Sequence, residues 1–154
     1  MKKAFFLISA MIMMMAASAQ TDFSGSWKLN SSKSKLGDQF SMAPKEVIIT
    51  QSGNDLSIEK HSEWQGQEFT TKDKLTLDGK ECVNEGMMDT KKKSTATWAA
   101  DKKSLKIVSK IPMQDGGEFA ITEVYKLDGG SFVCEMSASS SFGDMAETQV
   151  YDKK

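Results

Sequence analysis

The side chains that could carry chemistry are few and scattered. His61 is the only histidine, and beside Lys60 and Glu63 in a strand-like stretch it is expected at the surface. The serines form neither a nucleophile elbow nor a set that would orient a base. Carboxylates are numerous, yet no pair stands out for acid–base or glycoside chemistry. Cys82 and Cys134 admit two readings, a disulfide or two small residues on separate strands, because bridging needs Cα atoms within about 7 Å. Two cysteines and one histidine without close spacing do not build a zinc site, so neither a metal nor a cofactor is expected. Lys91-Lys92-Lys93 reads as a solvated strand end or turn, and Met87-Met88 as core or lid packing. Nothing here assembles an enzyme, and the residues point instead to binding.

All 20 basic residues are lysine. The usual bidentate partner of a buried carboxylate, arginine, is therefore missing. Lys2 and Lys3 precede a nearly uncharged apolar run over 4–17, and Ala17-Ser18-Ala19 supplies a small-x-small cleavage pattern. The run is shorter than the roughly 20 apolar residues of a spanning helix. A signal peptide over 1–19, cut after Ala19, and export to a periplasmic or extracellular space are expected. No integral membrane segment is then expected in the mature chain. Without Lys2 and Lys3 the formal net charge of −1 becomes −3, too balanced to favour nucleic acid. Residues 20–154 suffice for one domain with a core of its own.

The elements that must position any site are short strands. Phe23, Gly25, Trp27 and Leu29 alternate with Ser24, Ser26 and Lys28, the period-2 pattern of a strand with one buried face. Trp27 is read as a structural plug, with Gly25 allowing a close approach. Residues 30–43 are polar apart from Leu36, Phe40 and Met42, which suits a loop with at most one helical turn; its apolar residues either cap an opening or pin the loop to the core. Further strand patterns cover 45–51, Leu56 to Lys60, 68–77, 80–83, 91–98, Leu105 to Val108, Phe119 to Leu127, Phe132 to Met136 and 145–151. Ser52-Gly53-Asn54-Asp55, Asp78-Gly79 and Asp128-Gly129-Gly130 are hairpin signals. About ten strands at spacings near 8–12 residues, without an amphipathic helix of normal length, favour an all-β antiparallel up-and-down barrel of 8–10 strands over a sandwich.

Phe23-Ser24-Gly25-Ser26-Trp27-Lys28-Leu29 resembles the Gly-x-Trp opening strand of the calycin superfamily, which includes lipocalins and fatty-acid-binding proteins. The stretch continuing through Asn30-Ser31-Ser32-Lys33-Ser34 is similar to that of secreted bacterial lipocalin-like proteins. Lys93-Ser94-Thr95, Leu105, Tyr125-Lys126-Leu127-Asp128-Gly129 and Thr148-Gln149-Val150-Tyr151 follow the order of a fatty-acid-binding barrel's last strands. The resemblance implies a barrel with an internal cavity and a small hydrophobic or amphipathic ligand. It also implies an Arg-x-Tyr pair holding a carboxylate; here Gln149 stands in the arginine position and Tyr151 is kept. An amide supplies dipoles but no charge, so a neutral or weakly polar ligand is expected. If the strands alternate as the resemblance implies, Met145, Glu147, Gln149 and Tyr151 face inward, with Glu123 and Tyr125. They then either line a cavity or sit in solvent at the barrel mouth. The expected ligand contacts are Phe40, Phe69, Phe119, Glu123, Tyr125, Met136, Gln149 and Tyr151. A filled barrel acting on a protein partner through Trp64, Met87 and Met88 is the alternative, and a cavity enzyme a more remote one. The protein partner is not identified by the sequence.

Overall fold

The computed structural model describes residues 19–154; the expected signal segment falls outside the described residues except for Ala19. Ten strands follow one another: β1 (Gly25–Leu29), β2 (Glu46–Ser52), β3 (Asp55–Trp64), β4 (Gln67–Thr76), β5 (Cys82–Glu85), β6 (Lys91–Trp98), β7 (Leu105–Pro112), β8 (Glu118–Asp128), β9 (Ser131–Ser140) and β10 (Gly143–Lys153). Their order in the sheet is β4-β3-β2-β1-β10-β9-β8-β7-β6-β5. Every ladder is antiparallel, and Trp27 opposite Lys153 joins the first strand to the last. The result is an up-and-down barrel that is nearly closed, not a sandwich.

Side-chain alternation explains the wall. In β7, Leu105, Ile107, Ser109 and Ile111 are buried while Lys106 and Lys110 are exposed, as a strand with one face on a core requires. The stretch 137–144, which lies between the expected strand patterns ending at Met136 and starting at 145, extends β9 and β10. Its serines and alanines pair in register, with Ala138 opposite Met145. Within residues 30–45 one tight turn forms at Asn30–Ser34, where the Lys33 N–H donates to the Asn30 carbonyl (3.2 Å) and the Ser34 N–H to the Ser31 carbonyl (3.3 Å); the chain is then pinned by a bridge between Lys35 and Thr148. Among the described residues, no helix is long and apolar enough to cross a membrane.

The expected Asp78-Gly79 hairpin is corrected by the structure, because β4 and β5 share no ladder. Asp78 organises a longer turn, with Oδ1 accepting from Thr76 Oγ1 (2.7 Å) and from the Lys80 N–H (3.1 Å). The seam is closed by a side chain instead. Asn84 accepts from the Lys74 N–H at 2.8 Å and donates to the Lys74 carbonyl at 3.0 Å. An amide carries a donor and an acceptor, so it can stand in for one rung of a ladder.

One end of the barrel is sealed by aromatic rings. Trp27 packs on Phe132 with centroids 5.7 Å apart, and Phe132 on Tyr125 at 4.9 Å and Tyr151 at 5.6 Å. Phe23 stacks on Trp98 at 5.9 Å. Trp27 donates from Nε1 to the Phe23 carbonyl at 2.9 Å, and Lys153 Nζ stands 5.8 Å from its ring centroid, within cation–π range. Gly25 serves a different purpose from the expected close approach. A Cβ there would meet the Trp27 ring and Lys153 only at ordinary contact, but its φ of 146° is one that L side chains rarely adopt.

Candidate functional site

The inward faces divide the barrel into a sealed half and an open half. Along β4 the inward row runs Phe69, Thr71, Asp73 and Leu75; the first two are exposed and the last two buried. On β8, Phe119 and Ile121 are half-buried, whereas Tyr125 is buried. Phe69, Thr71, Phe119, Ile121 and Met145 therefore form a cup at the end opposite the Trp27 plug. Residues 30–45 cross its mouth, where Phe40 meets Trp64 of the β3–β4 turn edge to face at 4.9 Å. Other turns meet at the same end: Gln114 Nε2 reaches Met88 Sδ at 3.9 Å, and Ser141 donates to Asp115 at 3.2 Å.

Two ion pairs lie at the level where the open half ends. Lys60 Nζ is 2.5 Å from Glu123 Oε1, and Lys92 Nζ is 2.5 Å from Asp73 Oδ2. All four side chains are less than one-fifth exposed, so screening by water is weak and each charge depends on its partner. Burial by itself would lower the Lys60 pKa, but Glu123, with Cys134 and Asp73 close by, holds it above the usual lysine value. Burial opposes ionisation of Glu123 as well, and Lys60 overrides it, so that this carboxyl lies below its usual value. Burial raises the Cys134 thiol and the Tyr125 and Tyr151 hydroxyls well above their ordinary ranges. These three groups stay neutral and are poor nucleophiles.

Beside the ion pairs, β10 carries a polar relay. Tyr151 donates to Gln149 Oε1 (2.9 Å), Gln149 Nε2 donates to Glu147 Oε2 (2.9 Å), and the Gly37 N–H donates to Glu147 Oε1 (3.0 Å). The last of these ties the mouth-crossing segment to the interior. A Cβ on Gly37 would lie 2.0 Å from the Phe40 carbonyl oxygen, so this fold of the segment requires glycine.

The residues expected to contact ligand are spread over three levels. Phe40, Phe69 and Phe119 belong to the mouth and cup, and Glu123 to the ion-pair level. Tyr125, Tyr151, Met136 and Gln149 are 1%, 0%, 5% and 3% exposed and belong to the sealed core. The disulfide reading of Cys82 and Cys134 is corrected, since both thiols are free. Their strands, β5 and β9, are separated in the sheet by β6, β7 and β8. Cys82 instead sits against Thr76, 3.4 Å from its N–H, and Cys134 against Glu123 at 3.7 Å. The reading of Lys91-Lys92-Lys93 as wholly solvated is also corrected. Lys91 and Lys93 pair outside with Glu85 and Glu81, whereas Lys92 points inward to Asp73. Strand alternation placed one of these three inside, as it placed Lys60 in line with Leu56 and Ile58. His61 lies outward, its Nε2 2.6 Å from Glu59 Oε1. Among the described residues, no group of three histidine, cysteine or acidic side chains is arranged to hold a metal.

Three solved structures that resemble this barrel are, by name, binding proteins for bile acid, fatty acid and lipid. Zebrafish ileal bile acid-binding protein complexed with cholic acid aligns with a TM-score of 0.59 at 18% identity, over 86% of this chain and 98% of that one. The apo form of Caenorhabditis elegans lipid binding protein 8 gives 0.60 at 14% identity, over 90% and 100%. Fatty-acid-binding protein 1 of Echinococcus granulosus gives 0.55 at 15%, over 85% and 96%. The fold is the ten-stranded up-and-down barrel of these binding proteins. No family model and no curated protein sequence matches the chain. At these identities the likeness lies in the path of the backbone and not in its contents. In this barrel the two interior lysines are already paired with Glu123 and Asp73, and Glu147 is held by neutral donors.

Proposed function

We propose that the protein binds a small hydrophobic or amphipathic molecule in the open half of its barrel, without covalent chemistry, after export and removal of residues 1–19. The observation that carries this reading is Phe69: it faces inward on β4, in line with Asp73 and Leu75, yet is 48% exposed. An aromatic ring left accessible inside a concave wall, above buried polar groups, is the usual composition of a ligand pocket. The calycin fold and the lipid-binding names of its structural neighbours support the same class of ligand. Buried, neutral Tyr125, Tyr151 and Cys134 supply no activated nucleophile, which favours binding over catalysis.

Native mass spectrometry of the protein taken from its own host tests this directly. A bound small molecule is expected on a polypeptide beginning at Gln20, and Phe69→Asp should abolish the adduct while leaving the fold intact. A ligand-free mass, with a crystal structure in which side chains fill the cup, would refute the reading. A second reading, docking on a protein partner, is favoured by the tips around the mouth, where Met88 is 80% and Phe142 84% exposed. Affinity capture that loses a partner on Met88→Ser and Phe142→Ser substitution would support it.

A further inference from the structure

The level where the open half ends contains an acceptor that nothing fills. Asp73 is 7% exposed, and Lys92 engages its Oδ2, but Oδ1 receives no hydrogen bond from any described residue. A buried carboxylate oxygen without a donor is costly and rare in native proteins. Asp73 lies on the same inward row as Thr71 and Phe69, which are exposed. Asp73 therefore stands next on this inward row, just below the accessible wall of the cup.

The surrounding charge says what kind of donor fits. Besides the neutral Cys134, Tyr125 and Tyr151, the inward-facing charged side chains at this level and beside it are, among the described residues, Lys60 and Lys92 on one side, and Asp73, Glu123 and Glu147 on the other. Among the described residues, Glu147, 4% exposed, meets only the neutral donors Gly37 N–H and Gln149 Nε2. Two cations face three carboxylates, so the interior is formally one positive charge short. The mouth leans the same way. Asp89 and Asp115 in its turns and Asp144 at the start of β10 form no ion pair with a lysine among the described residues, against Lys35 of the crossing segment as the unpaired lysine there, while Lys45 and Lys91 are taken up by Glu63 and Glu85.

We infer that the polar end of the ligand is a hydrogen-bond donor, best an ammonium group, which donates to Asp73 Oδ1 and balances the interior charge. The ligand class is an amphipathic amine, with its apolar chain against Phe69, Phe119, Ile121 and Met145. This rests on the reading that the open half holds a small amphipathic molecule, and it adds which headgroup is selected. A carboxylate at the same place leaves Oδ1 without a donor and adds a second unmatched negative charge. Both lysines that might receive it are already committed to Glu123 and Asp73.

Matched twelve-carbon probes test the selection. Dodecylamine, 1-dodecanol and dodecanoate are titrated into the full chain below their aggregation limits, at an ionic strength of about 0.15 M that screens surface adsorption. Binding is read by displacement of an environment-sensitive fluorophore. Dodecylamine should bind at least about tenfold more tightly than dodecanoate, with dodecanol between them, since a charge-assisted hydrogen bond is worth that factor or more. Asp73→Asn should reduce the amine-to-acid ratio to about threefold or less, because the oxygen loses its charge. That substitution also strips Lys92 of its partner, so Asp73→Asn with Lys92→Met carries the comparison if the single variant unfolds. Equal or reversed affinities overturn the headgroup assignment while leaving cup binding intact, and so does a ratio unchanged in the variants. Failure of all three probes to bind a folded protein overturns both readings.

Discussion

Replacing Lys60 with methionine is the sharpest probe of the barrel interior. Methionine matches the aliphatic stem of lysine but removes the ammonium that stands 2.5 Å from Glu123 Oε1. The carboxylate that remains is 12% exposed as a side chain, with weak alternatives at Tyr125 (3.4 Å) and Cys134 (3.7 Å). Removing one partner of a buried pair costs about 3–5 kcal/mol. Lys92 still favours the Glu123 anion from nearby, which places the expected loss near the lower end, about 3 kcal/mol at pH 7. A domain with about 5–15 kcal/mol of stability survives that loss. The pH dependence gives the sign. In the wild type, Glu123 is depressed by Lys60, so its contribution is present above the unfolded value and is lost as pH falls through the folded one. Without Lys60, burial prevails and the folded value moves above the unfolded value of about 4.3. The native variant then holds a proton that the unfolded chain has lost, and its deficit shrinks as pH falls from 7 towards about 4.5. Urea unfolding followed by far-UV circular dichroism at both pH values measures this. A loss below about 1 kcal/mol at pH 7, well short of a broken buried pair, or a deficit unchanged at the lower pH, would refute the account of the ion pair as buried and mutually dependent.

Three further outcomes follow from the same geometry. Trp27→Ala should lose about 3–5 kcal/mol in denaturant unfolding, because it removes the ring that packs on Phe132 and is covered by Lys153. Stability should decline above about pH 8.5, where an unfolded thiol ionises while the buried Cys134 keeps its proton; thermal melts of Cys134→Ala should show the onset moved towards about pH 10, where Tyr125 and Tyr151 act in the same sense. Asn84→Leu should cost about 1–2 kcal/mol by opening the β4–β5 seam, and hydrogen exchange should show the Lys74 amide losing protection far more than amides in β8 and β9.

The barrel was legible in the chain because strand alternation and turn chemistry are local. Phe23-Ser24-Gly25-Ser26-Trp27 declared a one-sided strand, and Ser52-Gly53-Asn54-Asp55 and Asp128-Gly129-Gly130 made the turns expected of them. Composition misled where local signals were ambiguous. The serine- and alanine-rich stretch 137–144 resembles a loop until Ala138 is paired with Met145. Asp78-Gly79 resembles a two-residue hairpin until Asp78 is seen to stabilise a longer turn.

The candidate site was less legible, because its parts come from strands distant in sequence. Alternation alone turns Lys60, Asp73, Lys92 and Glu123 inward, and that much the order of residues determines. Which lysine meets which carboxylate depends on barrel closure, which brings β3 across to β8 and β4 to β6. Nothing in the neighbourhood of Asp73 along the chain reveals that one of its oxygens has a partner and the other has none. The same closure sets the boundary between the sealed and open halves: Tyr125, Phe132 and Tyr151 fill one end because their rings converge there, and Phe69 remains accessible, with no ring of the described residues stacked on it. Local sequence determined a wall with a polar row on its inner face, while packing across the barrel decided which of those groups are satisfied and which are not.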